Sequence, residues 1–433
     1  MIRYRCDYLL CGGPDMDVLS DGVVDVDDGV IAWSGAATEA PEADRANEVR
    51  VPGLLMPALI NGHCHTPMVL FRGAGEGLPV DRWLAEVMWP RESKLAPADV
   101  QAGMALGVAE MLTNGIATSS EMYFHPKAMA AAVTAAGFRS VISPAFIEDD
   151  SFAGLGSVAD QLELAVAFKD HCASIPTVTA GLGPHSAYAL SADTLASIGV
   201  LAVEHEMLLH IHAAELPGEN DMVSALGPTV IQALDRLGLL TQRTVVAHGI
   251  WLDDDDIALL AERGVGVCHC PVSNMVHAMG VAPLQRMQAH GLDVGLATDG
   301  PASHYRLDLF EEMRTALRMH RLATADAGAL APVDVLRMST QTAAAVLGFD
   351  DLGQLRSGFR ADMVHLDLDQ LSFGPILSND DIVPAVVWGG SRAAVRDVWV
   401  NGEPAVVNGL PAGAPMAELR AEVRSRAVSL AKP

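Results

Sequence analysis

"LLMPALINGHCH", residues 54–65, is an apolar run that stops on two histidines two positions apart. In a strand, residues i and i+2 share a face, so His63 and His65 point the same way. The run is read as a strand whose C-terminal end carries two imidazoles. A strand end with polar residues is one explanation; a shared metal ion is the other.

Seven further short runs follow it: "GIATSSEMYF" (115–124), "FRSVISPAF" (138–146), "TVTAGLGPHSAY" (177–188), "MLLHIHAAE" (207–215), "RTVVAHGIW" (243–251), "GVGVCHCPVS" (264–273) and "DVGLATDG" (293–300). Helical patterns such as 99–115, 127–137 and 256–264 lie between them and end in glycine. Eight strand–helix units predict an α/β chain with a (β/α)8 TIM barrel over residues 54–358. "DDDD" at 253–256 is read as a helix start, where acids complement the positive end of the dipole.

The flanks read differently. Residues 1–53 hold short β signals, with Asp28-Gly29 at a hairpin turn, and 361–368 and 393–409 answer them, with Asn401-Gly402 at another. A small β-sandwich domain built from 1–53 and 359–433 is expected, with an amphipathic helix near 415–431.

The chain has 433 residues, half of them apolar and 19% charged, which suits a large core. Its net charge of −26 argues against nucleic acid or an anionic membrane as partner. No leader pattern or membrane-length apolar run is read, so a cytoplasmic protein is expected, assembled as a homo-oligomer. The six cysteines are scattered, without a secreted-scaffold spacing. Cys268 and Cys270 are one residue apart, closer than zinc-site thiols, and are read as part of a buried strand.

In a barrel the chemistry sits at the C-terminal strand ends. His63 and His65 end the first run, His185 the fourth, His212 and Glu215 the fifth, His248 the sixth and Asp299 the eighth. Such placements do not read as independent accidents. Three imidazoles and one carboxylate suit zinc, so His63, His65, His212 and Asp299 are the expected ligands. His210 is the weaker choice in "HIH", being farther from the strand end. The fourth run has no lysine that could be carboxylated to bridge two metals, so one metal is expected. An ion with an open position lowers the pKa of water toward ~7. His248 and Asp299 would orient that water and take its proton, while Glu215 would protonate a ring nitrogen. This combination suits removal of an amine from an aromatic amidine as ammonia.

The segments 57–92, 183–191, 210–215, 246–274, 296–314 and 357–368 together resemble the amidohydrolase superfamily, and within it the methylthioadenosine/S-adenosylhomocysteine deaminases. The similarity runs from the first β segment to about residue 405. It implies a (β/α)8 barrel, one zinc ion (in some members iron) and conversion of an adenine nucleoside to its inosine analogue. It also implies that Trp83 covers the nucleoside, Glu92 binds ribose hydroxyls, His185 contacts purine or sugar, and Ser303 lines the pocket. From the residues alone, Trp83 reads equally as a core aromatic, Glu92 as a solvated acid and Ser303 as the cap of the helix that follows. The same metal site also suits another heterocyclic amine or chloride, as on a triazine, pterin or guanine.

Three departures stand out. Glu121 replaces the family's usual Asp, and His304 its usual Asn. Residues 140–168 contain no Arg or Lys, although members that take S-adenosylhomocysteine are expected to place arginines there against its carboxylate. A neutral 5′ substituent is therefore expected, all the more if Glu148, Asp149 and Asp150 face the pocket.

Overall fold

In the computed structural model, which describes residues 1–42, 47–413 and 415–432, three strands come first: β1 (Ile2–Leu10), β2 (Val18–Asp27) and β3 (Val30–Ala36). Asp28 and Gly29 turn between β2 and β3 with φ of 48° and 78°, the two positive values that a tight hairpin needs. β4 (Glu48–Pro57) then pairs in parallel with β1.

The run that opens the argument serves two sheets rather than one. Leu54–Pro57 belong to β4, and the first barrel strand, β5 (Leu59–Cys64), begins after Ala58 alone. The N–H of Ala58 bonds Asp362 O in the terminal sheet, and that of Leu59 bonds Gly115 O in the barrel. Apolar content does not change across the junction, so hydropathy could not mark it.

Seven more barrel strands follow: β6 (Ile116–Tyr123), β7 (Arg139–Phe146), β8 (Val178–Pro184), β9 (Leu208–Ala213), β10 (Thr244–His248), β11 (Gly266–His269) and β12 (Val294–Leu296). Each pairs in parallel with its neighbours in chain order. Closure from β12 back to β5 combines side-chain and backbone hydrogen bonds. Asn61 accepts the Thr298 N–H at 2.9 Å and donates to Thr298 Oγ1 at 2.8 Å, and the Asp299 N–H reaches His63 O at 3.1 Å. Closing the barrel thus brings Asp299 to His63. Gly62 faces the barrel interior, where a Cβ would meet Cys268 Sγ at 2.7 Å. The "CHC" segment is core: Cys268 and Cys270 are buried free thiols. The acidic run opens a helix, with Asp253 accepting the Asp256 N–H.

β13 (Met363–Leu366), β14 (Val395–Val400), β15 (Glu403–Val407) and β16 (Leu410–Pro411) return to β4. The predicted sandwich takes the form of one eight-stranded sheet, in the order β16-β15-β14-β13-β4-β1-β2-β3. Tyr4 on β1 and Trp399 on β14 lie three strands apart, ~14 Å in a flat sheet. Their ring centroids are 5.1 Å apart, so the sheet folds over on itself around Cys6, Leu9, Ile31, Leu55 and Met363. A buried pair, Arg139 Nε to Asp362 Oδ2 at 2.9 Å, ties the barrel to this sheet. The last helix spans Met416–Leu430 and buries only Val423 and Leu430. Among the described residues no helix is long and apolar enough to cross a membrane.

Candidate active site

The strand ends bring seven polar side chains to one place. The rings of His63 and His65 stand edge to face, 4.7 Å between centroids. His65 Nδ1 lies 2.6 Å from Met122 O, and His212 Nδ1 lies 2.8 Å from His185 O. A carbonyl oxygen can only accept, so in both rings Nδ1 carries the hydrogen and Nε2 a lone pair. Those two Nε2 atoms face each other at 3.2 Å. Asp299 Oδ1 lies 3.3 Å from His65 Nε2 and 3.4 Å from His63 Nε2, and the latter is buried without a hydrogen-bond partner. Three acceptors converging with no donor between them repel one another, and a cation removes that repulsion. One ring nitrogen each of His63, His65 and His212 lies within 4.8 Å of the others; the same holds for single ligand atoms of His63, His248 and Asp299. This donor set fits a divalent ion of the zinc type.

His248 and Glu215 stand beside the cluster, Nε2 to Oε1 at 3.5 Å. His248 Nδ1 is held by Asn274 Oδ1 at 3.0 Å. Ser273 Oγ donates to Asp299 Oδ2. Glu219 accepts the Glu215 N–H at 2.8 Å and so fixes the turn after β9. His248, Asp299 and Ala214 all adopt positive φ, at 75°, 61° and 53°. Such conformations cost ~1–3 kcal/mol each for residues other than glycine, and here they cluster on the polar site.

Burial dominates the electrostatics. It drives the His63 and His185 pKa values down to about 3, and those of His210 and His212 well below the usual range, so these rings are neutral. Burial likewise raises Glu215, with His248 offsetting part of the rise. For His248 burial acts downward, but Glu215 and Asp299 outweigh it and the pKa rises. For Asp299 burial acts upward, and the neighbouring imidazoles, His63 first and then His248 and His65, prevail and hold it well below the carboxylate range.

A cavity opens over this cluster, lined by Trp83, Trp89, Glu92, His185, Glu215, His248 and His277, with Ile147, Phe124 and Leu84 on its apolar side. Burial lifts the Glu92 carboxyl to about 7 against a smaller opposing effect of Tyr123. Among the described residues no Arg or Lys lines the cavity.

A barrel sequence with this strand-end pattern is matched by the profile of the Amidohydrolase family over residues 54–405. This chain belongs to that family. The amidohydrolase is 34% identical over 412 residues to a 5-methylthioadenosine/S-adenosylhomocysteine deaminase of Thermodesulfovibrio yellowstonii, covering 94% of this chain and 93% of that one. It is 40% identical over 320 residues to a 5'-deoxyadenosine deaminase of Methanothermobacter thermautotrophicus, covering 72% and 73%. Its fold superposes with a TM-score of 0.92 on an adenosine deaminase from Xanthomonas campestris crystallised with bound zinc, at 31% identity, covering 99% of this chain and 98% of that one.

Most of the residues singled out from sequence meet in this amidohydrolase's site. Ser303 does not: it is absent from the cavity lining, and its hydroxyl donates to Gly300 O at 2.6 Å within the short Pro301–His304 helix. Nor does it cap the following helix, which Asp308 caps. The loop acids are also turned away. Glu148 accepts from Ser191 and Thr194 at the start of the Ala192–Glu204 helix, and Asp149 accepts the Ser151 N–H. Any selection against a carboxylate therefore rests on the missing cations, not on repulsion from these acids. The two departures from the family pattern are internal supports. Glu121 accepts from Ser119 and from the N–H and hydroxyl of Thr66, and His304 Nε2 donates to Thr298 O. His210 stands behind His63, its Nε2 lying 2.8 Å from His63 Nδ1.

Sequence reasoning missed Ser273, Asn274, Glu219 and His277. The "PVSN" polar pair directly after the seventh strand was the available signal for the first two. For His277, which packs on Trp83 with 5.0 Å between centroids and has no partner for either buried ring nitrogen, there was none.

Proposed function

We propose that this amidohydrolase is a zinc-dependent deaminase that converts an adenine nucleoside with a neutral 5′ group, such as adenosine, 5′-deoxyadenosine or 5′-methylthioadenosine, to its inosine analogue. The observation that carries the reading is the convergence of two lone-pair nitrogens and Asp299 on one point, with His63 Nε2 beside them and the Glu215–His248 pair adjacent. His63, His65, His212 and Asp299 would hold the ion. A bound zinc supplies Lewis acidity and brings the pKa of water toward ~7.

The protein's own groups then manage the protons. Water adds its oxygen to the carbon that bears the amino group, and the C–N bond breaks. Of the two hydrogens of water, one ends on the ring nitrogen and one leaves with ammonia. Glu215, its carboxyl raised by burial, is placed to pass a proton to the ring nitrogen. His248, raised by its two carboxylate neighbours, accepts a proton from water, and Asn274 fixes the ring for that task. Trp83 supplies an apolar face for the purine, and Glu92 and His185 supply polar contacts to sugar or base. The wall of Ile147, Phe124 and Leu84 suits hydrogen, methyl or thiomethyl at the 5′ position. Five of the six cysteines are buried and all are free, in keeping with a reducing, cytoplasmic setting.

The test is ammonia release by zinc-loaded protein on adenosine, 5′-deoxyadenosine, 5′-methylthioadenosine and S-adenosylhomocysteine, with guanine, a pterin and a chlorotriazine as controls. Turnover confined to the controls would refute the nucleoside reading.

A further inference from the structure

The histidine behind the metal site has a task of its own. His63 Nδ1 lies 2.8 Å from His210 Nε2, and His210 Nδ1 lies 3.1 Å from Ser120 Oγ. All three side chains are fully buried, so no solvent stands in for a missing partner. Metal-binding histidines usually direct the second ring N–H to a carbonyl or carboxylate, as His65 and His212 do with Met122 and His185. Those acceptors can hold the hydrogen in one place only. Another neutral imidazole is different, because it can donate or accept.

Two arrangements of the row are open, because the Ser120 hydroxyl can accept from His210 Nδ1 or donate to it. In one, His63 Nδ1–H donates to His210 Nε2, His210 Nδ1–H donates to Ser120, and His63 Nε2 carries a lone pair. In the other every hydrogen is displaced: Ser120 donates to His210, His210 to His63, and His63 Nε2 bears a hydrogen that faces Asp299 Oδ1 at 3.4 Å. Only the first can bind an ion, and neither changes the net charge.

We propose that His210 and Ser120 form a tautomer-setting relay that makes His63 a competent metal ligand. His210 is thus a positioning residue, not a ligand: its inner nitrogen is committed to His63. The inference rests on the metal reading above. It assigns the row the same role that backbone carbonyls play for the other two imidazoles, but with a reversible setting.

The experiment measures zinc affinity by chelator competition and, separately, the ring 15N–1H correlations of histidine-labelled, zinc-loaded protein. His210→Leu removes the acceptor and is expected to weaken zinc binding ~10–100-fold, the usual effect of losing such a partner. His210→Gln, whose amide oxygen accepts, should recover part of that loss. Ser120→Ala removes the acceptor available to the His210 Nδ1–H and should weaken zinc binding by a smaller factor. In wild type the hydrogen is expected on Nδ1 of both His63 and His210, with His210 Nε2 bare. If His210→Leu does not fold, Ser120→Ala and the wild-type spectrum carry the test. Zinc affinity within twofold of wild type in the variants, or a hydrogen on His210 Nε2, overturns the relay while leaving the metal site intact. A wild-type protein that binds no zinc overturns the metal reading and the relay together.

Discussion

Glu92 offers a test of how the cavity treats charge. Its carboxyl is 6% exposed, and burial raises its pKa from 4.5 to about 7, with Tyr123 opposing. The folded chain therefore holds this proton more tightly than the unfolded one. The group's contribution to stability is full below pH ~4.5, falls as pH rises, and is lost above ~7, where both states are ionised. At ~1.4 kcal/mol for each pH unit separating the two pKa values, the loss is about 3 kcal/mol. Glu92→Gln keeps the size but cannot ionise. Its stability relative to wild type should therefore increase by about 3 kcal/mol between pH 4.5 and pH 8, and level off above that. Urea unfolding of both proteins at several pH values reads the difference directly, because every other titrating group is common to the pair. A stability difference that stays constant from pH 5 to pH 8 would show that Glu92 ionises in the folded protein as it does in water, and the burial argument would fail.

Four further outcomes are expected. His63→Ala should lose stoichiometric zinc on dialysis, and metal content measured after gel filtration decides it; full zinc with full turnover would exclude His63 as a ligand. Glu215→Gln should keep the metal and lose ~10²–10⁴-fold in kcat, the range for a proton-transfer group; turnover within a few-fold of wild type would make Glu215 a bystander. With no Arg or Lys lining the cavity among the described residues, the carboxylate of S-adenosylhomocysteine forgoes a charge-assisted contact worth ~1.5–3 kcal/mol. Its kcat/KM should thus be at least ~10-fold below that of 5′-methylthioadenosine, and equal or reversed values in steady-state kinetics would remove the argument. Glu219→Ala removes the acceptor for the Glu215 N–H. It should lower kcat ~10-fold with zinc retained, a loss of about 1.4 kcal/mol, whereas Glu219→Gln should stay near wild type; equal losses in both would point to the charge instead of the hydrogen bond.

The parts of this protein that repeat in one dimension were open to reading. Eight apolar runs with polar residues at their ends are a periodic signal, and a strand's two-residue period alone puts His63 and His65 on one side. Asp28-Gly29 and Asn401-Gly402 were legible for a local reason: each turn needs positive φ at both residues, and the structure has it at all four. The junction at Ala58 was not legible, because the apolar run continues unbroken from Leu54 to Ile60 and only the partners of its two parts, β13 and β6, tell them apart. The place of Ser303 was not legible for a related reason. The family resemblance implied a pocket position, and only the structure shows its hydroxyl donating to the carbonyl of Gly300.

The sequence by itself determined the types of polar side chain at the strand ends, their order along the strands and the barrel that carries them, because strand period and strand-end placement are properties of local spacing. Tertiary structure alone decided which nitrogens face inward and what stands behind them. His210 and His212 share a strand face in "HIH", and spacing cannot separate their roles. Their neighbours do: the carbonyl of His185 holds His212 Nδ1 and leaves its Nε2 facing His65 Nε2, while Ser120 and His63 take both nitrogens of His210. Those partners lie 27, 90 and 147 residues away in the chain, and only closure of the barrel brings them within hydrogen-bonding distance.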